Sequence, residues 1–122
     1  MDKEGVKISK MTKGLHIEDN YQKMFLSFEE TDDLSYEEAR IWCNSRGGGD
    51  ESVDNFRFIQ EHLDDINYEL RRAGAEPIKG EYWSNEDYKM YKGLSWSIKV
   101  ESGRACLIRD TRTRKARAIK QL

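Results

Sequence analysis

One proline, two cysteines and two histidines in 122 residues remove several explanations before any pattern is sought. With Pro77 as the lone proline and no low-complexity stretch, the chain has no Pro-rich linker, and its length suits one domain spanning residues 1–122. Cys43 and Cys106 stand 63 positions apart. They form no Cys-x-x-Cys pair and have no metal-ligand spacing. They read first as buried thiols acting as small apolar groups, with a disulfide as the alternative. His16 and His62 are isolated from each other, and two separate imidazoles make neither a zinc site nor a catalytic triad. Gly47-Gly48-Gly49 has neither the following lysine nor the preceding strand of a phosphate loop. Apolar runs are a few residues long, far short of the ~18–20 residues of a membrane span. Met1-Asp2-Lys3-Glu4-Gly5 lacks the apolar segment of a signal peptide. The expectation is a non-membrane protein without metal or cofactor. It is cytoplasmic as written, and secreted or surface-associated if a leader has been trimmed.

What the chain does have is aromatics and charge. Three Trp, six Tyr and four Phe argue against disorder and supply the residue types that anchor binding faces. Charged residues make up 36%, so a modest core carries a heavily charged surface. The net charge of −2 hides an asymmetry. Residues 104–122 carry Arg104, Arg109, Arg112, Arg114, Lys115, Arg117 and Lys120 against Asp110 alone, for a net of +6, and the remainder carries −8. A basic tail on an acidic body suits nucleic-acid contact. It suits better a charged strand lying against the acidic helices of its own chain.

Local pattern divides the chain into strands, two helices and a strand meander. Val6 and Ile8 alternate, as do Met24, Leu26 and Phe28, which predicts short N-terminal strands. Gly14 and Asp19-Asn20 mark turns between them. Ser35 and Glu38 form a capping box, Leu34 is placed to staple onto Ala39, and Ala39, Trp42 and Cys43 share a face, with Gly47 as the stop. Phe56, Ile59, Leu63, Ile66 and Leu70 form one stripe, which predicts a second helix over 55–73 with Asp54 as N-cap and Gly74 as the terminating glycine. After Pro77 the period becomes two. Leu94, Trp96, Ile98 and Val100 face a core, Glu101-Ser102-Gly103 is a turn, and Ala105 to Arg109 returns as a hairpin. Ala116, Ala118 and Ile119 make a last strand. Two helices on small antiparallel sheets is an α+β layout.

Tyr82-Trp83-Ser84-Asn85-Glu86-Asp87-Tyr88 resembles the Tyr-Trp-Ser-Ser-x-Glu-Tyr signature of a bacterial domain of unknown function, the type found at the C-terminus of the Legionella collagen-like adhesin. Leu34 to Asn44 is similar to that family's first helix. Asn55-Phe56-Arg57 stands where the family has Trp-Arg-Leu-Pro-Thr, and 116–120 where it has its closing strand. The resemblance covers about residues 24–122. It departs at Phe58-Ile59-Gln60, which replaces the Leu-Pro-Thr, and at Ala118, which replaces a cysteine and leaves Cys43 without the disulfide partner the family implies. The resemblance implies a C-type-lectin-like fold and, since members recur in surface and phage-associated proteins, a role in recognition. It implies no known activity, and fold alone does not give function.

Candidate sites follow. The 82–87 motif could be a ligand patch, but Trp83 in the core and Ser84 tying down a turn is the preferred reading. Glu76-Pro77 with Trp83, Asn85 and Asp87 faintly echoes calcium-dependent lectins. However, Ile78 and Glu86 interrupt the set, and calcium needs 6–8 converging oxygens. The ligand-binding candidates are Tyr91 and Trp96 as aromatic anchors, with Trp96 also a core candidate, and Arg109, Arg112, Arg114 and Arg117 as a basic face. A solvated edge strand guarded by charge is the competing account of those arginines. The function expected is a non-catalytic recognition module for a protein or glycan partner. The alternative is a nucleic-acid-associated protein using the basic C-terminal strand, and an enzyme comes third because no catalytic pair can be placed.

Overall fold

The computed structural model describes residues 5–122. Its N-terminal region forms β1 (Lys7–Lys10), β2 (Gly14–Glu18) and β3 (Lys23–Glu30), the short strands that the alternation predicts. Leu15 pairs with Leu26 and Ile17 with Met24, and all four are buried. Asp19 makes the expected turn: its Oδ1 accepts the N–H groups of Tyr21 and Gln22, each at 2.8 Å. Gly14 opens β2 rather than lying ahead of it. A Cβ there would stand 2.2 Å from the Leu26 carbonyl oxygen, so the residue is dictated by the close approach of β3.

Helix α1 (Tyr36–Ser45) carries the predicted capping box. The Ser35 Oγ accepts the Glu38 N–H at 3.3 Å, and Glu38 Oε1 accepts the Ser35 N–H at 3.0 Å. Leu34 packs on the cluster that contains Ala39, Cys43, Trp83 and Ala116. The single helix expected over 55–73 is two: α2 (Val53–Glu61) and α3 (Leu63–Arg72), broken at His62 with φ −121° and ψ 28°. The stripe continues across the break, which is why periodicity missed it. The break accompanies burial of Phe58, which lies off that stripe. The N-cap is Ser52, whose Oγ accepts the Asn55 N–H at 3.0 Å, while Asp54 sits in the first turn. Gly74 takes φ +77° past the end of α3, as its position predicts.

The remaining strands are β4 (Glu81–Asp87), β5 (Leu94–Lys99), β6 (Arg104–Arg109) and β7 (Arg117–Gln121). Two antiparallel sheets result, ordered β1-β2-β3-β7 and β4-β5-β6, so the architecture is α+β with three helices. The main core gathers residues such as Leu15, Met24, Phe56, Ile59, Ile66, Leu70, Tyr82, Ile98 and Ile119 from both sheets, α2 and α3. The pattern read for β5 needs correction. Ile98 and Val100 are buried, but so are Ser95 and Ser97, while Leu94 and Trp96 are only half-buried. Both faces of the sheet are covered near its middle, with the second cluster under Trp83 lying on the side opposite Tyr82. Ser95 settles its burial by donating to Asp110 Oδ1 at 2.7 Å.

The outer edges differ in how they end. Along β7, the Ile119 N–H donates to Glu51 Oε2 at 2.8 Å and the Gln121 N–H to Asp50 Oδ2 at 2.7 Å. Along β4, the Trp83 and Asn85 N–H groups donate to the carbonyls of Lys115 and Glu51. β6 has a strand on one side only. Among the described residues no helix is long and apolar enough to cross a membrane.

Candidate recognition surface

The β4–β5 connection, residues 88–93, is closed by the Tyr88 N–H donating to the Leu94 carbonyl at 2.8 Å and turned by Gly93 at φ +87°. Tyr88 stacks on Tyr91 with centroids 6.3 Å apart and planes at 26°, and meets Trp96 edge-on at 6.3 Å and 89°. Met90 is 74% exposed and Tyr91 69%. The three rings thus form one unit, with Tyr91 open to solvent and Tyr88 and Trp96 half-buried. Beside it lies a hollow of about 340 Å³ lined by Asn85, Glu86, Asp87, Tyr88, Lys89, Met90 and Trp96. Asp87 pairs with Lys89 at 3.0 Å, and that hydrogen bond first, with Lys89's charge, holds its carboxyl below the ordinary value.

Register then extends the patch across the sheet. Leu94 pairs with Arg109 and Trp96 with Leu107. Directly opposed residues of an antiparallel pair share a face, so Arg109 and Leu107 lie on the Trp96 side. Tyr91 is thus linked to Trp96 through Tyr88, and Arg109 shares the Trp96 side of the sheet, opposite Leu94. Arg112 is exposed in the following turn, its N–H donating to the Arg109 carbonyl at 2.9 Å.

Arg114 and Arg117 go elsewhere. Arg114 is half-buried, its backbone bridges to Leu34, and its guanidinium contacts the Glu81 carboxylate off the hydrogen-bonding axis of Nε. Arg117 is fully buried. Its Nε donates to the Ser27 carbonyl at 2.8 Å, its Nη2 to the Phe28 carbonyl at 3.0 Å and its Nη1 to Glu30 Oε1 at 2.7 Å. The Tyr82 hydroxyl donates to the same oxygen at 2.6 Å, and burial first, then Glu30, push its ionisation above the ordinary range. A guanidinium with every edge committed inside the protein offers nothing to a ligand. The reason is register: Arg117 opens β7 opposite Glu30.

The basic tail finds its counter-charge within the chain, though not on the helices as expected. Arg114 meets Glu81 on β4, Lys115 and Arg117 meet Glu30 on β3, and Lys120 lies 3.8 Å from Asp50 in the loop before α2. Among the described residues, none forms an ion pair with Arg104, Arg109 or Arg112.

The 82–87 motif is largely structural. Trp83 is 1% exposed and its indole N–H donates to the Leu34 carbonyl at 2.7 Å. Ser84 donates to the Trp96 carbonyl at 2.6 Å and accepts the Glu86 N–H. A larger hollow of about 680 Å³ lies between the β2–β3 side and the end of α1, lined in part by Lys13, Phe28, Glu29, Ser45 and Arg46. Two of its three charged walls pair, Arg46 Nε standing 2.9 Å from Glu29, and it gathers no cluster of stacked rings, so the aromatic face is the better candidate despite its smaller volume. Both cysteines are free, Cys43 buried and Cys106 exposed, which corrects the reading of two buried thiols and removes the disulfide. Among the described residues no three His, Cys, Asp or Glu side chains are placed to hold a metal ion.

Sequence reasoning placed Tyr88 at the end of the 82–88 signature without offering it as a binding residue, and did not single out Met90 or Leu107. Leu107 was within reach: a turn at Glu101-Ser102 sets Trp96 opposite Leu107 by counting. Met90 had no such signal, since loop side chains follow no period.

Comparisons with known proteins return no matching family model, no matching curated protein and no matching solved structure.

Proposed function

We propose that this chain is a non-catalytic recognition module on a C-type-lectin-like scaffold, holding a protein or glycan partner against the Trp96 face. The observation that carries the reading is the exposed aromatic unit: Tyr91 and Met90 stand in solvent on a loop whose rings are already stacked. Rings ordered before binding lose little conformational freedom on contact, and tyrosine, tryptophan and arginine are the side chains that dominate binding energy when a partner desolvates them. Arg109, which no acid of the described chain neutralises, supplies orientation at the border of the patch.

The test is retrieval with the purified protein, with and without calcium, read by mass spectrometry and by a glycan array. Each retained partner is then challenged with Tyr91→Ala and with Arg109→Glu. Both side chains are exposed, so folding is expected to be unchanged. Loss of the partner from both variants, with Arg71→Glu on α3 as an unaffected control, supports the reading. Full retention by both would falsify it.

A nucleic-acid reading has one observation in its favour, the three arginines that meet no acid among the described residues. Three phosphate contacts would give a slope of log affinity against log salt of about −3. A gel shift at low salt showing no complex removes that reading.

A further inference from the structure

The open edge of β6 has a chemistry that narrows the partner. Residues that exchange backbone bonds alternate along an antiparallel pair, and those between them turn their N–H and C=O groups the other way. The Asp110 N–H donates to the Gly93 carbonyl, while the Leu94 and Trp96 carbonyls accept from Tyr88 and Ser84 on the β4 side. Ser95 and Ser97 therefore bond toward Ile108 and Cys106, their partners in register. Ala105, Leu107 and Arg109 consequently direct their backbone groups away from the sheet. Apart from the Arg109 carbonyl, which Arg112 occupies, those groups take no partner from the described chain.

The β7 edge shows one way this fold treats such groups, while β1, the opposite edge of that sheet, takes no such partner among the described residues. On β7 the outward N–H groups of Ile119 and Gln121 are met by the carboxylates of Glu51 and Asp50. On β6 nothing meets them, and the flanking side chains are Arg104, Arg109 and Arg112.

We propose that β6 is a docking edge for an extended acidic peptide segment of a partner protein, which adds as a further strand and sets acidic side chains beside Arg104 and Arg109. The inference rests on the recognition reading and specifies its partner as a protein. An incoming strand opposite Leu107 and Arg109 puts alternate side chains on the Trp96 face, where the Tyr88–Tyr91 unit stands at its end. Main-chain bonds give such a complex its affinity and the alternate side chains its selectivity. A second copy of this chain is a poor occupant. Residues 104–112 hold three arginines against Asp110, so edge-to-edge pairing brings two positive segments together.

The test uses the capped heptapeptide acetyl-Glu-Glu-Val-Val-Thr-Val-Glu-amide against the whole chain, with calorimetry and amide hydrogen exchange as readouts. Expected results are binding that weakens as salt rises from about 50 to 200 mM, slowed exchange at Ala105, Leu107 and Arg109, and loss of affinity of about tenfold or more in Arg104→Glu/Arg109→Glu. A peptide N-methylated at alternate residues should not bind. The inference is overturned by no binding at millimolar peptide, by equal binding of the N-methylated peptide, or by a single-stranded oligonucleotide protecting those amides where the peptide does not. Failure here, with a partner still lost on Tyr91→Ala, sinks the edge and leaves the aromatic face standing. The converse pattern sinks the face and leaves the edge.

Discussion

Replacing Arg117 by Met tests the least expected feature of the fold, a fully buried arginine in a segment whose charge points to a surface ligand site. The substitution keeps most of the apolar stem and deletes the charge. Three hydrogen bonds vanish, to the Ser27 and Phe28 carbonyls and to Glu30. Glu30 is itself only 12% exposed and keeps the Tyr82 hydroxyl and Lys115 at 3.7 Å. Removing one member of a buried pair costs about 3–5 kcal/mol, because the other charge is left uncompensated. The surviving contacts of Glu30 place the expected loss near the lower end, about 3–4 kcal/mol. Against a total stability of about 5–15 kcal/mol, that is a large fraction. With a urea slope of about 1–3 kcal/mol per molar, the unfolding midpoint should fall by roughly 1–4 M. Arg112→Met, at an exposed and unpaired position, should stay within about 0.5 kcal/mol of wild type. Adding Glu30→Gln to Arg117→Met should recover part of the loss, since the pair is coupled. If Arg117→Met unfolds at the same urea concentration as Arg112→Met, the guanidinium is not the internal tie described here.

Other consequences are checked more briefly. Burial first, then the Glu51 carboxylate, push the Cys43 thiol up to about 12 from an ordinary 9.0. The unfolded chain therefore releases this proton at lower pH than the folded one. The contribution is complete below pH 9 and declines as pH rises toward 12, by up to about 1.4 kcal/mol per pH unit, and urea titrations of Cys43→Ala should show a shallower decline than wild type. With a thiol reagent under native conditions, Cys106 should be modified promptly and Cys43 only on unfolding, as their exposures require; equal rates would contradict the packing of α1. Gly14→Ala forces a Cβ against the Leu26 carbonyl and the Phe25 ring. It should lower stability by about 1–3 kcal/mol, measured by thermal melting.

Much of the local structure was legible in the chain alone. The capping box at Ser35 and Glu38, the Asp19 turn, the Gly74 stop and the 94–109 hairpin each depend on residues a few positions apart, and neighbours in sequence are enough to specify them. The break at His62 was not legible, because the apolar stripe runs through it unchanged while the backbone of His62 leaves the helical region. Ser95 and Ser97 were misjudged for a related reason: a period of two presumes one covered face, and here α1 and α2 cover both near the middle of the sheet.

The surface divides the same way. Hairpin counting brings Arg109 and Leu107 to the Trp96 face, and composition alone marks residues 104–122 as basic. Which of those cations remain free was decided by tertiary structure. Arg114, Lys115, Arg117 and Lys120 find acids on β3, β4 and the loop before α2, between 33 and 87 positions away in the chain, whereas Arg104, Arg109 and Arg112 meet none among the described residues. Charge patterning in a sequence records how many ions there are. Their partners are chosen by strand order, which places β7 beside β3 and leaves β6 at an edge, and no local rule contains that information.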